Sequence, residues 1–307
     1  MNFRSLQRGL TIAVLSCFWI AGTASSDELA DMARSLVANN KDAVVTIKLV
    51  IENRYSMQGS GSQSEESKSE ITGTVINPSG LAVVSLFSTD PTSASRNMMG
   101  MDLEEMGFKM ETEIKSVDIL TAGGDEIPAE IVLRDKDLDL AFLRPKQKTD
   151  KPFAALDLSK SGAPAQLDPV VAISRLGRVA NRAYGALLDR IEAVVEKPRT
   201  FYVPAGGGMS ESSLGAPVFT LDGNLIGILV LRTIRASSSS MMGMMGMMGG
   251  GGSDNAVMII MPASDVLEVA AQAPEHAPAQ TQEQPEEQRE EAPEEETAPA
   301  QETNSEG

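Results

Sequence analysis

The residues from Glu211 to Ile228 hold the chain's best candidate for chemistry. Glu211-Ser212-Ser213-Leu214-Gly215-Ala216-Pro217 is a tight Ser/Gly/Pro turn. It leads into an apolar strand, Val218-Phe219-Thr220-Leu221, an Asp222-Gly223 turn and a second strand, Leu225-Ile226-Gly227-Ile228. A serine hydroxyl on such a turn becomes a nucleophile when a neighbouring base takes its proton. The chain has one histidine, His276, set in a Glu-rich stretch beyond the last apolar pattern. A histidine general base in a folded cleft is therefore excluded. Lysine is the other base to consider, and it would have to be desolvated within hydrogen-bond reach of Ser212 or Ser213. Lys115, Lys136 and Lys197 lie in or beside strands with charged neighbours, which reads as solvated surface.

Sulfur is the second resource. Eleven of the seventeen methionines fall in two stretches, Met98-Met99-Gly100-Met101 continuing through Met106 and Met110, and Met241-Met242-Gly243-Met244-Met245-Gly246-Met247-Met248. The plainest reading is low-complexity expansion in tolerant loops. The alternatives are an adaptable apolar surface for a peptide or protein, because methionine re-packs readily, and thioether capture of Cu(I). Copper capture normally pairs methionine with histidine or cysteine. The only cysteine, Cys17, sits in the N-terminal apolar run, so no disulfide or thiol nucleophile is expected. No metal and no cofactor are expected either.

These residues must be positioned by strands. Residues 1–24 read as a secretory signal, with Arg4 and Arg8 before an apolar run and Gly22-Thr23-Ala24 as a processing site. The run is too short to favour a membrane span, so the chain is expected to be exported, periplasmic or secreted. Residues 25–41 carry Leu29, Met32, Ala33, Leu36 and Val37 at helical spacing, with Ser25 and Glu28 as a capping box. From Ala43 the period becomes that of strands. Six are expected in residues 42–149: Ala43–Ile51, Ile71–Ile76, Leu81–Leu86, Lys115–Thr121, Ile127–Leu133 and Leu138–Arg144, broken by loops at Ser56–Glu70 and Ser88–Thr112. Pro145 to Gln166 reads as a polar connection, which leads into the second unit, residues 150–271. That unit continues with Pro169–Ser174, Ala183–Val195, Arg199–Val203, Ala216–Leu221, Leu225–Arg235 and Ala256–Met261, and closes with a helix over Asp265–Ala271. Six strands plus six without intervening helices make an all-β chain of two antiparallel barrels or sandwiches.

Residues 272–307 are rich in Glu, Pro, Gln and Ala, with no large apolar residue, and are expected to be disordered. From Glu275 to Glu306 they hold eleven glutamates against one arginine. Much of the formal net charge of −17 is therefore in this tail, and the rest is mildly acidic. Neither part offers a basic face for nucleic acid.

Several segments resemble the protease domain of the HtrA/Deg branch of chymotrypsin-like serine proteases, in order and spacing. Asp42-Ala43-Val44-Val45-Thr46-Ile47 resembles the opening strand. Gly73-Thr74-Val75-Ile76-Asn77-Pro78-Ser79-Gly80-Leu81 resembles the hairpin before the catalytic histidine. The segment from Ile119 to Ile131, and the run Arg134-Asp135-Lys136-Asp137-Leu138-Asp139-Leu140-Ala141-Phe142-Leu143, are similar to the region that holds the catalytic aspartate. The turn at Gly215 and Pro217 resembles G-N-S-G-G-P, and Ile259-Ile260-Met261-Pro262-Ala263-Ser264 the F-A-I-P-S strand end. The resemblance implies two six-stranded barrels and places both methionine stretches at the border of the cleft. It also implies that Phe87 stands at the histidine position, Asp139 at the aspartate position and Leu214 at the serine position. In the family template serine attacks, histidine shuttles the proton and aspartate orients the histidine. In subtilisin, losing the serine or histidine alone costs about 10⁶-fold in kcat.

The expected protein is thus an exported, non-catalytic HtrA-like homologue, with a Glu-rich tail where that branch carries a PDZ domain. It would bind a protein or peptide through the degenerate cleft, Ser212, Ser213 and the methionines 98, 99, 101, 241, 242, 244 and 245, and homo-oligomers are compatible with this reading. Phe87 and Leu214 would fill the site, and Asp139 would accept bonds from backbone amides or from Ser85 or Ser88. Two other readings are an active serine endopeptidase with an unforeseen base, and an envelope structural protein acting through the acidic tail.

Overall fold

The computed structural model describes residues 24–57, 61–90, 108–206, 209–233 and 256–276. Residues 1–23 of the expected signal, the methionines from 98 to 106 and from 241 to 248, and the tail from residue 277 lie outside the described residues, whereas Met110 lies within them.

Helix α1 (Ala24–Asn40) leads through a 3₁₀ turn into twelve strands. The first six are β1 (Val44–Met57), β2 (Gln63–Val75), β3 (Ala82–Ser85), β4 (Phe108–Leu120), β5 (Glu126–Asp135) and β6 (Leu140–Pro145). They close into an antiparallel barrel in the order β1-β2-β3-β6-β5-β4. The one-turn helix α2 (Leu86–Thr89) follows β3. The second six are β7 (Pro169–Arg175), β8 (Tyr184–Val195), β9 (Phe201–Pro204), β10 (Pro217–Thr220), β11 (Leu225–Thr233) and β12 (Ala256–Pro262). They close in the order β10-β11-β12-β9-β8-β7, and α3 (Ala263–Ala270) ends the fold. The choice that periodicity left open, barrel or sandwich, falls to two closed barrels. Among the described residues no helix is long and apolar enough to cross a membrane.

Strand alternation explains how one chain fills three apolar clusters. On β6, Ala141 and Leu143 point into the first barrel, while Leu140 and Phe142 point into the seam between the barrels. On β11, Leu229 and Leu231 fill the second barrel, while Ile228 and Val230 meet the same seam. β7 divides likewise, with Val170 and Ala172 inward and Val171 and Ile173 seamward. Side chains that alternate across a strand reach both faces of the sheet, and strands apolar on both faces weld the two barrels. Leu36 of α1 and Val266 of α3 also join the seam.

Four expectations need correction. The segment Ser56–Glu70, read as a loop, is largely strand: β1 runs to Met57, and β2 pairs with it from Tyr55↔Gln63 to Val44↔Thr74. Its Ser/Glu-rich sequence carries no apolar alternation, because its outer half faces water on both sides and is held by the backbone ladder. Likewise, the end of the expected loop Ser88–Thr112 is the start of β4. The polar connection before β7 buries Leu156 and Leu158 in the seam. Finally, α1 extends to Ala24, so Ser25 lies inside the helix and not at its N-cap.

Candidate functional site

The two barrels meet around the carboxylate of Asp139. The chain reaches it through an Asx turn in which the Asp137 and Leu138 amides donate to Asp135 Oδ1 at 2.9 and 3.0 Å. Asp139 itself is left-handed (φ 56°), a conformation that aspartate tolerates better than most residues. Its backbone carbonyl accepts the Leu86 amide at 2.9 Å, which fixes α2 against the start of β6. Its side chain accepts three further bonds. Phe87 N–H donates to Oδ1 at 2.7 Å, Leu231 N–H donates to Oδ2 at 2.9 Å, and the Ser85 hydroxyl also donates to Oδ2. Of the two serines considered for this contact, Ser85 is the donor. Burial pushes the Asp139 carboxyl up to about 6, against the opposing pull of the Ser85 hydroxyl and the Leu231 and Phe87 amides.

In the second barrel, the chain turns through a 3₁₀ segment, Glu211–Ser213, into β10. Leu214 follows it, 1% exposed, in the apolar cluster of the second barrel with Met209, Val218, Ile226 and Leu229. Phe87 packs against that same cluster while its amide holds Asp139. Phe87 thus links the two regions: its amide holds Asp139, and its side chain packs on the cluster that contains Leu214.

Gly215 makes this approach feasible. It has φ 85°, and a Cβ there would stand 2.2 Å from the carbonyl oxygen of Thr72 in the first barrel. Its own N–H donates to Leu229 O at 2.7 Å, and its carbonyl accepts the Thr74 hydroxyl at 2.8 Å. Beside it, Thr72 Oγ1 accepts the Arg175 amide at 3.1 Å, and Arg175 Nε donates to Thr46 Oγ1 at 3.2 Å. Arg182 closes the edge with a bidentate pair to Glu70 at 2.7 and 2.9 Å.

The candidate hydroxyls divide. Ser213 is buried at 2% exposure. Ser212 is exposed, and its Oγ lies 2.8 Å from that of Ser210. Lys115 binds Glu52 and Glu113 at 2.7 and 2.8 Å, while Lys136 and Lys197 are exposed. His276 lies 3.6 Å from Glu130 of β5, on a segment held to β6 by Arg144, which donates to the carbonyls of Pro274 and Ala273. None of these basic groups is among the partners of Asp139 or the residues packed around Leu214. Among the described residues, no group of three or more His, Cys, Asp or Glu is arranged to hold a metal.

A family model for the trypsin-like peptidase domain matches residues 71–228, just over half of the chain. The chain belongs to the trypsin-like peptidase family. The match runs from the end of β2 to β11, so it covers α2, Asp139 and the Leu214 turn. Comparison with curated proteins gave no match. Among solved structures, the apo protease domain of MamO from Magnetospirillum magneticum is similar, with a TM-score of 0.45 and 16% identity, covering 75% of this chain and 96% of that one.

Within this trypsin-like domain, sequence reasoning missed two contributors. Leu231 acts through its backbone N–H, so no side-chain pattern announces it. Met209 is buried in the Leu214 cluster, whereas the methionine-rich stretches drew the reading elsewhere. Met98, Met99, Met101, Met241, Met242, Met244 and Met245 lie outside the described residues. The two stretches leave the described chain after α2 and after β11.

Proposed function

We propose that this trypsin-like domain is a non-catalytic, HtrA-like homologue that is exported and binds protein or peptide segments without cleaving them. The observation that carries the reading is the identity of the Asp139 partners, which are a hydroxyl and two backbone amides with no imidazole among them. In the family template this carboxylate orients a histidine, whereas here its oxygens accept a hydroxyl and two backbone amides. Leu214 and Phe87 supply hydrocarbon at the positions that the resemblance assigns to nucleophile and base, and the one histidine lies elsewhere, 3.6 Å from Glu130 of β5. What a cleft of this family retains without its triad is extended-peptide recognition, for which backbone groups of the strands suffice. The methionine stretches, which the resemblance puts at the border of the cleft, would add a surface that adapts to different side chains.

The test uses β-casein as an unstructured model substrate. Retention on the immobilised protein, with the casein recovered at full length and with reduced retention when residues 241–248 are deleted, is the expected result. Time-dependent casein fragments that vanish in S212A would instead establish the endopeptidase reading, for which the exposed Ser212 hydroxyl, bonded to Ser210, is the starting point.

A further inference from the structure

The first barrel carries an extension that its closure does not require. β2 pairs with β3 only at Thr74 and Val75, and β4 pairs with β5 only from Val117 to Leu120. Beyond those residues, β2, β1 and β4 continue as a three-stranded ribbon to Tyr55↔Gln63 on one side and Met57↔Phe108 on the other. Among the described residues, the outer edge of β2 from Gln63 to Gly73 has no strand partner, and Gln63 to Lys68 are exposed. A row of unpaired backbone donors and acceptors on a strand edge is a template for another strand.

We propose that this edge pairs with its own copy, antiparallel, about a two-fold axis through Ser67, and so forms a homodimer. The sequence of the edge favours this register, because it sets two opposite-charge pairs face to face. A two-fold perpendicular to the sheet must place one residue opposite itself, so only a few registers exist. With the axis at Ser67, Lys68 faces the partner's Glu66 and Glu66 faces the partner's Lys68; within one chain these two make only an exposed contact at 3.9 Å, far looser than the bidentate Arg182–Glu70 pair. Glu65 then faces the partner's Ser69, and no like charges meet. An axis at Glu65, Glu66, Lys68 or Glu70 sets that charge against itself. An axis at Ser69 sets Lys68 against the partner's Glu70, but the Glu70 carboxylate is already committed to Arg182 within its own chain.

The other edge of the ribbon, β4, is less available. A register about Ile114 would set Glu113 against the partner's Lys115, but Lys115 is already bound to Glu52 and Glu113 at 2.7 and 2.8 Å. A register about Met110 engages only the first few residues of the strand. An axis at Glu111 or Glu113 opposes two glutamates, and an axis at Thr112 sets Glu111 against the partner's Glu113. Opposite charges on directly facing residues stabilise a strand pair, and like charges destabilise it. The seam is short and polar, so the dimer is reversible.

Sedimentation velocity of the full chain across a concentration series tests this. Wild type shifts from monomer to dimer as concentration rises. K68E and E66K each raise the dissociation constant by about tenfold or more, since each reversal makes two repulsive pairs about the axis. The K68E/E66K double variant restores it to within about threefold, because the exchanged charges again face their opposites. In a C17S background, which leaves no other cysteine, S67C forms an intermolecular disulfide under mild oxidation and S69C does not. A chain that stays monomeric with no S67C cross-link overturns the proposal. So does a dimer indifferent to the charge reversals, or one that cross-links through S69C.

Discussion

Replacing Asp139 with asparagine removes the ionisable proton and keeps the shape, so it isolates the effect of burying this carboxyl at the seam. Two influences compete there. Burial disfavours the charged form, while the Ser85 hydroxyl and the amides of Phe87 and Leu231 favour it. Burial prevails, and the carboxyl rises from an ordinary 3.8 to about 6. Between those values the folded chain holds a proton that the unfolded chain has released. Stability from this group is therefore fully present below pH 3.8 and declines as pH rises through 6. The loss amounts to about 3 kcal/mol, at roughly 1.4 kcal/mol for each pH unit between the two values. Other carboxylates run the opposite way: Glu52, held at about 2 by Lys115 and Arg54, and Glu70, lowered by Arg182, favour the folded state above their unfolded values and lose that contribution as pH falls. The wild-type curve alone would mix these signs, so the informative quantity is the difference between D139N and wild type. Urea denaturation at intervals from pH 3.5 to 8 measures it. Relative to wild type, D139N should gain about 3 kcal/mol between pH 4 and 7 and then level off. A flat difference, or one falling with pH, would show that the three donated bonds outweigh burial and would refute this reasoning.

Other outcomes follow from the same packing. D139A leaves the Phe87 and Leu231 amides without their acceptor; it should destabilise by about 1–3 kcal/mol, more at pH 4 than at pH 7, as read by the same denaturation series. L214A empties a fully buried site in the second barrel and should cost about 2–5 kcal/mol of unfolding free energy. G215A puts a methyl group 2.2 Å from Thr72 O at a left-handed position, so its melting temperature should fall more than that of L214A, or the chain should fail to accumulate folded. R182A removes a partly exposed ion pair with Glu70 and should lower the melting temperature only slightly, an effect that high salt diminishes.

Most of the fold was legible where apolar alternation was present. The run from Leu225 to Thr233 names a strand buried on both faces, and the structure divides it between barrel and seam as the alternation requires. The outer half of β2 was not legible, because Gln63 to Lys68 face water and the ladder to β1 is a backbone matter. Leu156 and Leu158 were hidden for a different reason: two isolated leucines in a polar connection show no period, yet both find the seam. At the site, Phe87, Asp139 and Leu214 came from comparing motif spacing, and Ser85 was within reach of that reasoning. Leu231 was not, since its contribution is an amide brought from the other barrel. The inter-barrel bond between Thr74 and Gly215 was equally invisible, being a contact across 141 residues.

The most direct measurement is the intact mass of the wild-type protein after exposure to a fluorophosphonate, which adds covalently to an activated serine. The account predicts an unchanged mass under conditions that fully label a control serine protease. A stoichiometric adduct mapped to Ser212 or Ser213 would mean that a base reaches one of those hydroxyls, and would contradict it.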